Sequence, residues 1–301
     1  MERKHYFLIL GTICLGLLVG SGVFALSGGQ AEKFLVSKEA APVSLTPLEE
    51  AQKDYAGVAI TYQFGDKSET LDGGRIVSWL RTDANGQVTF DPQQVRAFVK
   101  ELADKYDTAY TPRTFHTSGG QDITISEGDY GWRIDQEKET AHLLDLLSQK
   151  QSTVCSQKQS TVCEPVYAQT AAVHSHQDWG TTYIEVSLKD QQLWLYKDGQ
   201  CLLQSYLVSG NPTRKHGTPK GIYGLTYKTQ NATLSGQGYD SKVKYWMPFN
   251  CNVGLHDAPW RSSFGGQIYK SNGSHGCLNL PPANAAKIYK NVDKNTPVII
   301  Y

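Results

Sequence analysis

Hydrophobic and polar residues follow three different rhythms along the chain, and each change of rhythm marks a new part. From Tyr6 to Leu26 the stretch YFLILGTICLGLLVGSGVFAL carries no charge. A run of that length suffices to cross a bilayer as a helix. Arg3 and Lys4 precede it, and basic flanks stay on the cytoplasmic side. The pattern predicts a cytoplasmic tail at 1–5, a transmembrane anchor at 6–28 and a stalk at 29–44, so the remaining chain lies outside the plasma membrane. Ala25 and Ser27 would also suit signal-peptide cleavage, but the run is long for such a segment.

The second rhythm has a helical period broken by short strands. TPLEEAQKDYA begins with a capping Thr46, Pro47 at the first helical position and Glu49 three residues after the cap. DPQQVRAFVKELADKY begins with Asp91 and Pro92 and sets Val95, Phe98, Val99 and Leu102 on one face. VAITYQF and DITIS read as strands, RIVSWL as a short buried segment and EKETAHLLDLLSQ as a further amphipathic helix. Together, residues 45–147 form a small α+β domain.

SQKQSTVC then occurs twice in tandem, at 148–155 and 156–163. Such a repeat is too short for a solenoid. It reads as a duplicated surface segment in a linker over 148–179. From about 180 the period shortens to two. TYIEVSL and QQLWLYKDG alternate, and Asp198-Gly199 marks a hairpin. One late helix, PANAAKIYKNV, precedes a last strand, TPVIIY. Residues 180–301 form a mainly β domain.

With 29 basic and 29 acidic residues, formal net charge is zero, which gives no argument for nucleic acid as a partner. Six cysteines are present: Cys14 in the anchor, then Cys155, Cys163, Cys201, Cys251 and Cys277. Five beyond the anchor leave at least one unpaired within the chain. Cys155 and Cys163 could pair across their loop, or with Cys201 and Cys251.

Cys277, in NGSHGCLNLP, has the richest surroundings. As a nucleophile it needs a base, because an ordinary thiol is mostly protonated at neutral pH. His275, two residues upstream, and His256, in GLHDAPWR, are the candidates. Gly276 would let the backbone approach a ligand and aim the Gly276 and Cys277 N–H groups at an oxyanion. Ser274 and Asn279 would hold the loop. Three other readings stay open: a zinc site from His256, Asp257, His275 and Cys277, though the spacing matches no familiar zinc pattern; half of a disulfide; or a buried structural thiol.

A histidine, a spacer, then Ser274-His275-Gly276-Cys277-Leu278-Asn279 resembles the active-site signature of the L,D-transpeptidase catalytic domain of bacterial cell-wall enzymes. TYIEVSLKDQQLWLYKDGQ and VSGNPTRKHGTPKGIYGL resemble that family's opening strands and the loop before its groove, so the resemblance covers about 180–301. KYDTAYTPRTFHTSGGQDITISEGDYGWRID resembles the peptidoglycan-binding domain found before it in Gram-positive members. The fold this implies is a mainly β catalytic domain, a β-sandwich with a short late helix, behind a small α+β domain and the transmembrane helix.

The resemblance implies that Cys277 attacks a tetrapeptide donor stem at its third, L-centred linkage. His256 acts as general base, a thioester forms, and the third-residue amine of a second stem resolves it to a 3→3 cross-link. Backbone N–H groups around Gly276 and Cys277 would form the oxyanion hole, with His275, Ser274, Asn279 and Asp257 in the pocket. Tyr245 and Trp246 are expected as aromatic groove walls, and Arg261 as a cation for a substrate carboxylate. No cofactor is expected, and carbapenems should acylate the enzyme. Hydrolysis of the same thioester would make an L,D-carboxypeptidase, and a degenerate site would leave a non-catalytic wall-binding protein.

Overall fold

The computed structural model describes residues 44–152, 160–236 and 239–301. The expected tail and anchor, most of the stalk, and Cys155 lie outside the described residues. Among the described residues no helix is long and apolar enough to cross a membrane. Residues 45–301 form one compact unit.

Its first part runs α1 (Pro47–Tyr55), β1 (Ala59–Phe64), β2 (Lys67–Leu71), α2 (Gly73–Ser78), β3 (Leu80–Thr82), β4 (Val88–Phe90), α3 (Pro92–Tyr106), β5 (Arg113–His116), β6 (Asp122–Ile125), β7 (Arg133–Ile134), α4 (Gln136–Ser152), β8 (Ser160–Cys163) and β9 (Tyr167–Gln169). The predicted caps form. Thr46 and Glu49 close a capping box on α1, and the Asp91 side chain accepts from Gln93 N–H at the start of α3. The apolar face of α3 is buried as its period requires, and packs with β1, α2 and α4 around Trp79, Trp132 and Leu143.

The stretch expected as a linker is instead built into this fold. The first copy of the repeat finishes α4 as far as Ser152, whereas the end of the second copy forms β8, which pairs in parallel with β1. β9 pairs with β7. The described part of the first copy, SQKQS, is helical and the described part of the second, STVC, is a strand, so Ser152 and Ser160 are the one equivalent pair described in both. Cys163, Cys201, Cys251 and Cys277 are all free thiols, so the pairings suggested among them do not form.

The second part runs β10 (Tyr183–Ser187), β11 (Gln192–Lys197), β12 (Gln200–Tyr206), β13 (Gly221–Gly224), β14 (Thr229–Gly236), β15 (Tyr239–Asn250), β16 (Val253–Asp257), α5 (Ile268–Asn272), β17 (Leu278–Leu280), α6 (Pro282–Asn291) and β18 (Pro297–Ile300). These strands form a five-stranded sheet, β12-β11-β10-β18-β13, and a four-stranded sheet, β14-β15-β16-β17. Leu193, Leu195, Met247, Leu255, Leu278 and Val298 pack into the core of this region, joined by Ile288 of α6.

A third apolar cluster joins the two parts. Phe115, Ile125 and Tyr130 from the first pack with Trp179, Ile222 and Ile299. Gly128 and Ile222 bridge in parallel, adding the first part to the edge of β13. A Cβ on Gly128 would lie 2.1 Å from the Ile222 carbonyl, and its φ of +102° also needs glycine. Beside this seam, buried Arg113 pairs with buried Asp178 and donates to the Tyr130 carbonyl at 2.7 Å. Buried Glu185 on β10 accepts from Ser118 N–H at 2.7 Å, Ser118 Oγ at 2.6 Å and Tyr301 Oη at 2.7 Å.

Candidate active site

β16 and β17 run in parallel, with His256 opposite Asn279. Their pairing brings the histidine and the cysteine segment together from positions 21 residues apart in sequence. A pocket of about 220 Å³ opens between them, lined by Leu234, Ser241, His256, Trp260, Arg261, Gly273, Ser274, His275, Cys277 and Asn279. Larger surface hollows exist elsewhere, near Arg96 on α3 and near Lys242 on β15, but neither is lined by a cysteine or a histidine.

The nucleophile segment is shaped by local bonds. Gly276 has φ of +125°, open to glycine and strained for other residues. Ser274 Oγ accepts from Gly276 N–H at 3.1 Å and donates to the Cys277 carbonyl at 2.5 Å. The expectation of two free oxyanion donors is therefore amended: Gly276 N–H is engaged, and Cys277 N–H is the one that remains of the pair. Cys277 Sγ faces the Asn252 carbonyl at 3.6 Å and takes a bond from Gly254 N–H. Burial raises the thiol pKa, opposed by that N–H.

His256 is 4% exposed. Its Nδ1 lies 2.8 Å from the Asp257 carbonyl, which assigns the ring proton to Nδ1 and leaves Nε2 basic. The Asn279 amide is assigned by the same network. With its oxygen toward Arg261, at 2.8 Å from Nε and 3.3 Å from Nη2, its nitrogen donates to His256 Nε2 at 3.0 Å. Desolvation holds the His256 pKa below the ordinary imidazole value, and Arg261 adds to the effect against the pull of Asp257. Burial thus works on both groups in favour of their uncharged forms.

Arg261 does reach the pocket, but its guanidinium is turned to Asn279. Tyr245 and Trp246 do not line it. Tyr245 packs against Tyr289 of α6, on the far side of β15, because neighbouring strand residues point oppositely. Trp246, paired with His256, backs the imidazole at 6.1 Å between ring centres. The Asp257 carboxylate also turns away. It accepts from Lys244 and Tyr245 N–H, both at 2.8 Å, and fixes the register of β15.

Sequence reasoning missed Trp260, 51% exposed at the pocket mouth with its ring centre 5.9 Å from that of His256. It also missed His216, whose ring lies 4.4 Å from that of His275, and Thr218, bonded to the Gly276 carbonyl at 2.6 Å. Trp260 was visible in GLHDAPWR; the other two lie in VSGNPTRKHGTPKGIYGL, the stretch whose resemblance set it before the groove without singling out either residue. Among the described residues no cluster of His, Cys, Asp and Glu is arranged to hold a metal.

Comparison with known proteins bears on this site. The family model of the L,D-transpeptidase catalytic domain matches residues 181–300. A second, described as "Putative peptidoglycan binding domain", matches residues 48–155. A Bacillus subtilis (strain 168) protein described as "Putative L,D-transpeptidase YciB" is 25% identical over 130 residues, 39% of this chain and 64% of that protein's length. The crystal structure of a cysteine-to-serine mutant of Enterococcus faecium L,D-transpeptidase is 33% identical with a TM-score of 0.73, covering 84% of this chain and 99% of that one. The avibactam carbamoyl form of an enzyme designated Ldtfm is also 33% identical with a TM-score of 0.72, covering 84% and 97%. At 33% identity to a solved L,D-transpeptidase over 99% of that chain, this chain belongs to the L,D-transpeptidase family.

Proposed function

We propose that this protein joins peptidoglycan stem peptides by 3→3 links, with Cys277 as nucleophile and His256 as its base. The observation that carries this reading is a thiol and an imidazole lining one pocket, the imidazole held at Nδ1 by the Asp257 carbonyl. A thiol raised by burial favours proton removal during attack over a preformed ion pair. Asn279 holds Nε2 at rest, and the imidazole exchanges it for the thiol as the donor stem enters. Nε2 takes the thiol proton as sulfur bonds to the carbonyl carbon. Cys277 N–H receives the oxyanion. The bond to D-alanine breaks, and the imidazolium returns its proton to the departing amine. The acceptor stem's side-chain amine then attacks the thioester, gives a proton to His256 and displaces the thiolate, which is reprotonated.

The same chemistry makes Cys277 a target for acylating inhibitors. One similar solved structure is an avibactam carbamoyl enzyme, and carbapenems should open on this thiol in the same way. The first part of the fold would hold peptidoglycan, and the apolar N-terminal run would keep both parts on the outer face of the plasma membrane. Incubation of the full-length protein with a disaccharide-tetrapeptide, followed by chromatography and mass spectrometry, tests the reaction. A 3→3 dimer with free D-alanine is expected. D-alanine without dimer would make water the acceptor and the protein a carboxypeptidase. Intact substrate beside folded protein would leave only a wall-binding role.

A further inference from the structure

Two carbonyls flank the backbone N–H of Cys277, and each is held by a different hydroxyl. Ser274 holds the carbonyl of Cys277 itself. Thr218 holds that of Gly276 at 2.6 Å, and its oxygen accepts from Gly210 N–H at 2.9 Å. Thr218 is 7% exposed and lies 58 residues from Gly276 in sequence. Its hydroxyl is therefore committed on both sides, within a closed loop.

The Gly276 carbonyl and Cys277 N–H belong to one peptide unit. In a planar trans peptide they point in opposite directions. Fixing the carbonyl on Thr218 therefore fixes the direction of the N–H, away from the Thr218 loop. A hydrogen bond accepted at the carbonyl also polarises the unit and strengthens its N–H as a donor. Because Gly276 N–H is taken by Ser274, the aim of Cys277 N–H matters more than it would with two donors available.

We propose that Thr218 is a positioning residue for oxyanion stabilisation: its hydroxyl sets the Gly276–Cys277 peptide so that Cys277 N–H meets the oxygen of the carbonyl under attack. This rests on the reading of Cys277 as an acyl-forming nucleophile. The segment has other supports. Val208 and Asn279 exchange backbone bonds at 3.0 and 2.9 Å, and Ser274 N–H donates to Ser209 while its carbonyl accepts from Asn211, each at 3.0 Å. Loss of the Thr218 hydroxyl therefore takes the partner from Gly210 N–H as well as from the Gly276 carbonyl, while these other bonds keep the loop paired and the Gly276–Cys277 peptide loses what fixes its direction.

Two reagents separate this role from a general packing role. A carbapenem acylates through a tetrahedral oxyanion, whereas iodoacetamide alkylates the thiol by displacement at carbon and forms none. In the full-length protein, Thr218→Val keeps the side-chain shape without the hydroxyl, and Thr218→Ser keeps the hydroxyl without the methyl. Thr218→Val should slow carbapenem acylation by at least about tenfold, a fraction of what losing a whole oxyanion donor costs. Iodoacetamide labelling should be unchanged, and Thr218→Ser should restore most of the acylation rate. Should Thr218→Val not fold, Thr218→Ala reads the same ratio of the two rates. Equal slowing with both reagents, or acylation at the wild-type rate, would overturn the proposal. A wild type that iodoacetamide labels and no carbapenem acylates would overturn it together with the reading beneath it, so the two failures remain distinct.

Discussion

Burial acts on the two central side chains in opposite senses: it raises the Cys277 thiol and lowers the His256 imidazole. Both effects favour the uncharged forms. Alkylation of Cys277 by iodoacetamide should then keep rising past pH ~8.5, the ordinary thiol value. A plateau near neutral pH would instead reveal a thiolate–imidazolium pair. Acylation needs neutral His256, which exists above its own pKa. The acid limb of the carbapenem acylation rate should therefore fall below pH ~6.5, the ordinary imidazole value. His256 is faced by the Asp257 carbonyl and Arg261, with Cys277 and His275 on the same pocket wall. Replacing Arg261 by Met removes the one cation among these that lowers the imidazole, so the limb should move to higher pH; a limb that stays or moves lower contradicts this account. Asp257 acts through two backbone N–H groups. Asp257→Ala should cost about 1–3 kcal/mol in chemical denaturation, and Asp257→Asn less, since one acceptor survives. The thiol and its histidines were legible from residue type and spacing. The direction of the Asp257 carboxylate was not, because it depends on which strand lies alongside.

Local chemistry made the helices easy to read. Thr46 with Glu49, and Asp91 with Pro92, fix where α1 and α3 begin, because backbone N–H groups there need a nearby acceptor. The tandem repeat was harder to read, because each eight-residue copy holds both a helix-favouring SQKQ and a strand-favouring TV, so the letters alone do not say which copy serves which element. Deleting either copy gives the same polypeptide, in which one serine must both end α4 and begin β8. The last turn of α4 or the pairing of β8 must then give way. Hydrogen exchange in the eight-residue deletion should be faster in β1, which β8 covers in parallel, while β10 to β18 keep their protection. Unchanged protection of β1 would mean that β8 adds nothing to the fold.

Across the whole molecule, the seam between the two parts was the least legible feature. Nothing near Arg113 in sequence points to Asp178, 65 residues away, yet the two are buried against each other. Asp178→Ala would leave a buried guanidinium unpaired and should lower stability by about 3–5 kcal/mol. Replacing Arg113 by Met in that variant should recover much of the loss, and thermal denaturation followed by calorimetry reads both. The account as a whole rests on Cys277 forming an acyl-enzyme, and intact-mass spectrometry with peptide mapping after exposure to a carbapenem tests that most directly. Wild-type protein should gain the mass of one opened carbapenem, mapped to the peptide that holds Cys277, and Cys277→Ala should gain none. A folded wild type without an adduct, or an adduct that persists in Cys277→Ala, would contradict it.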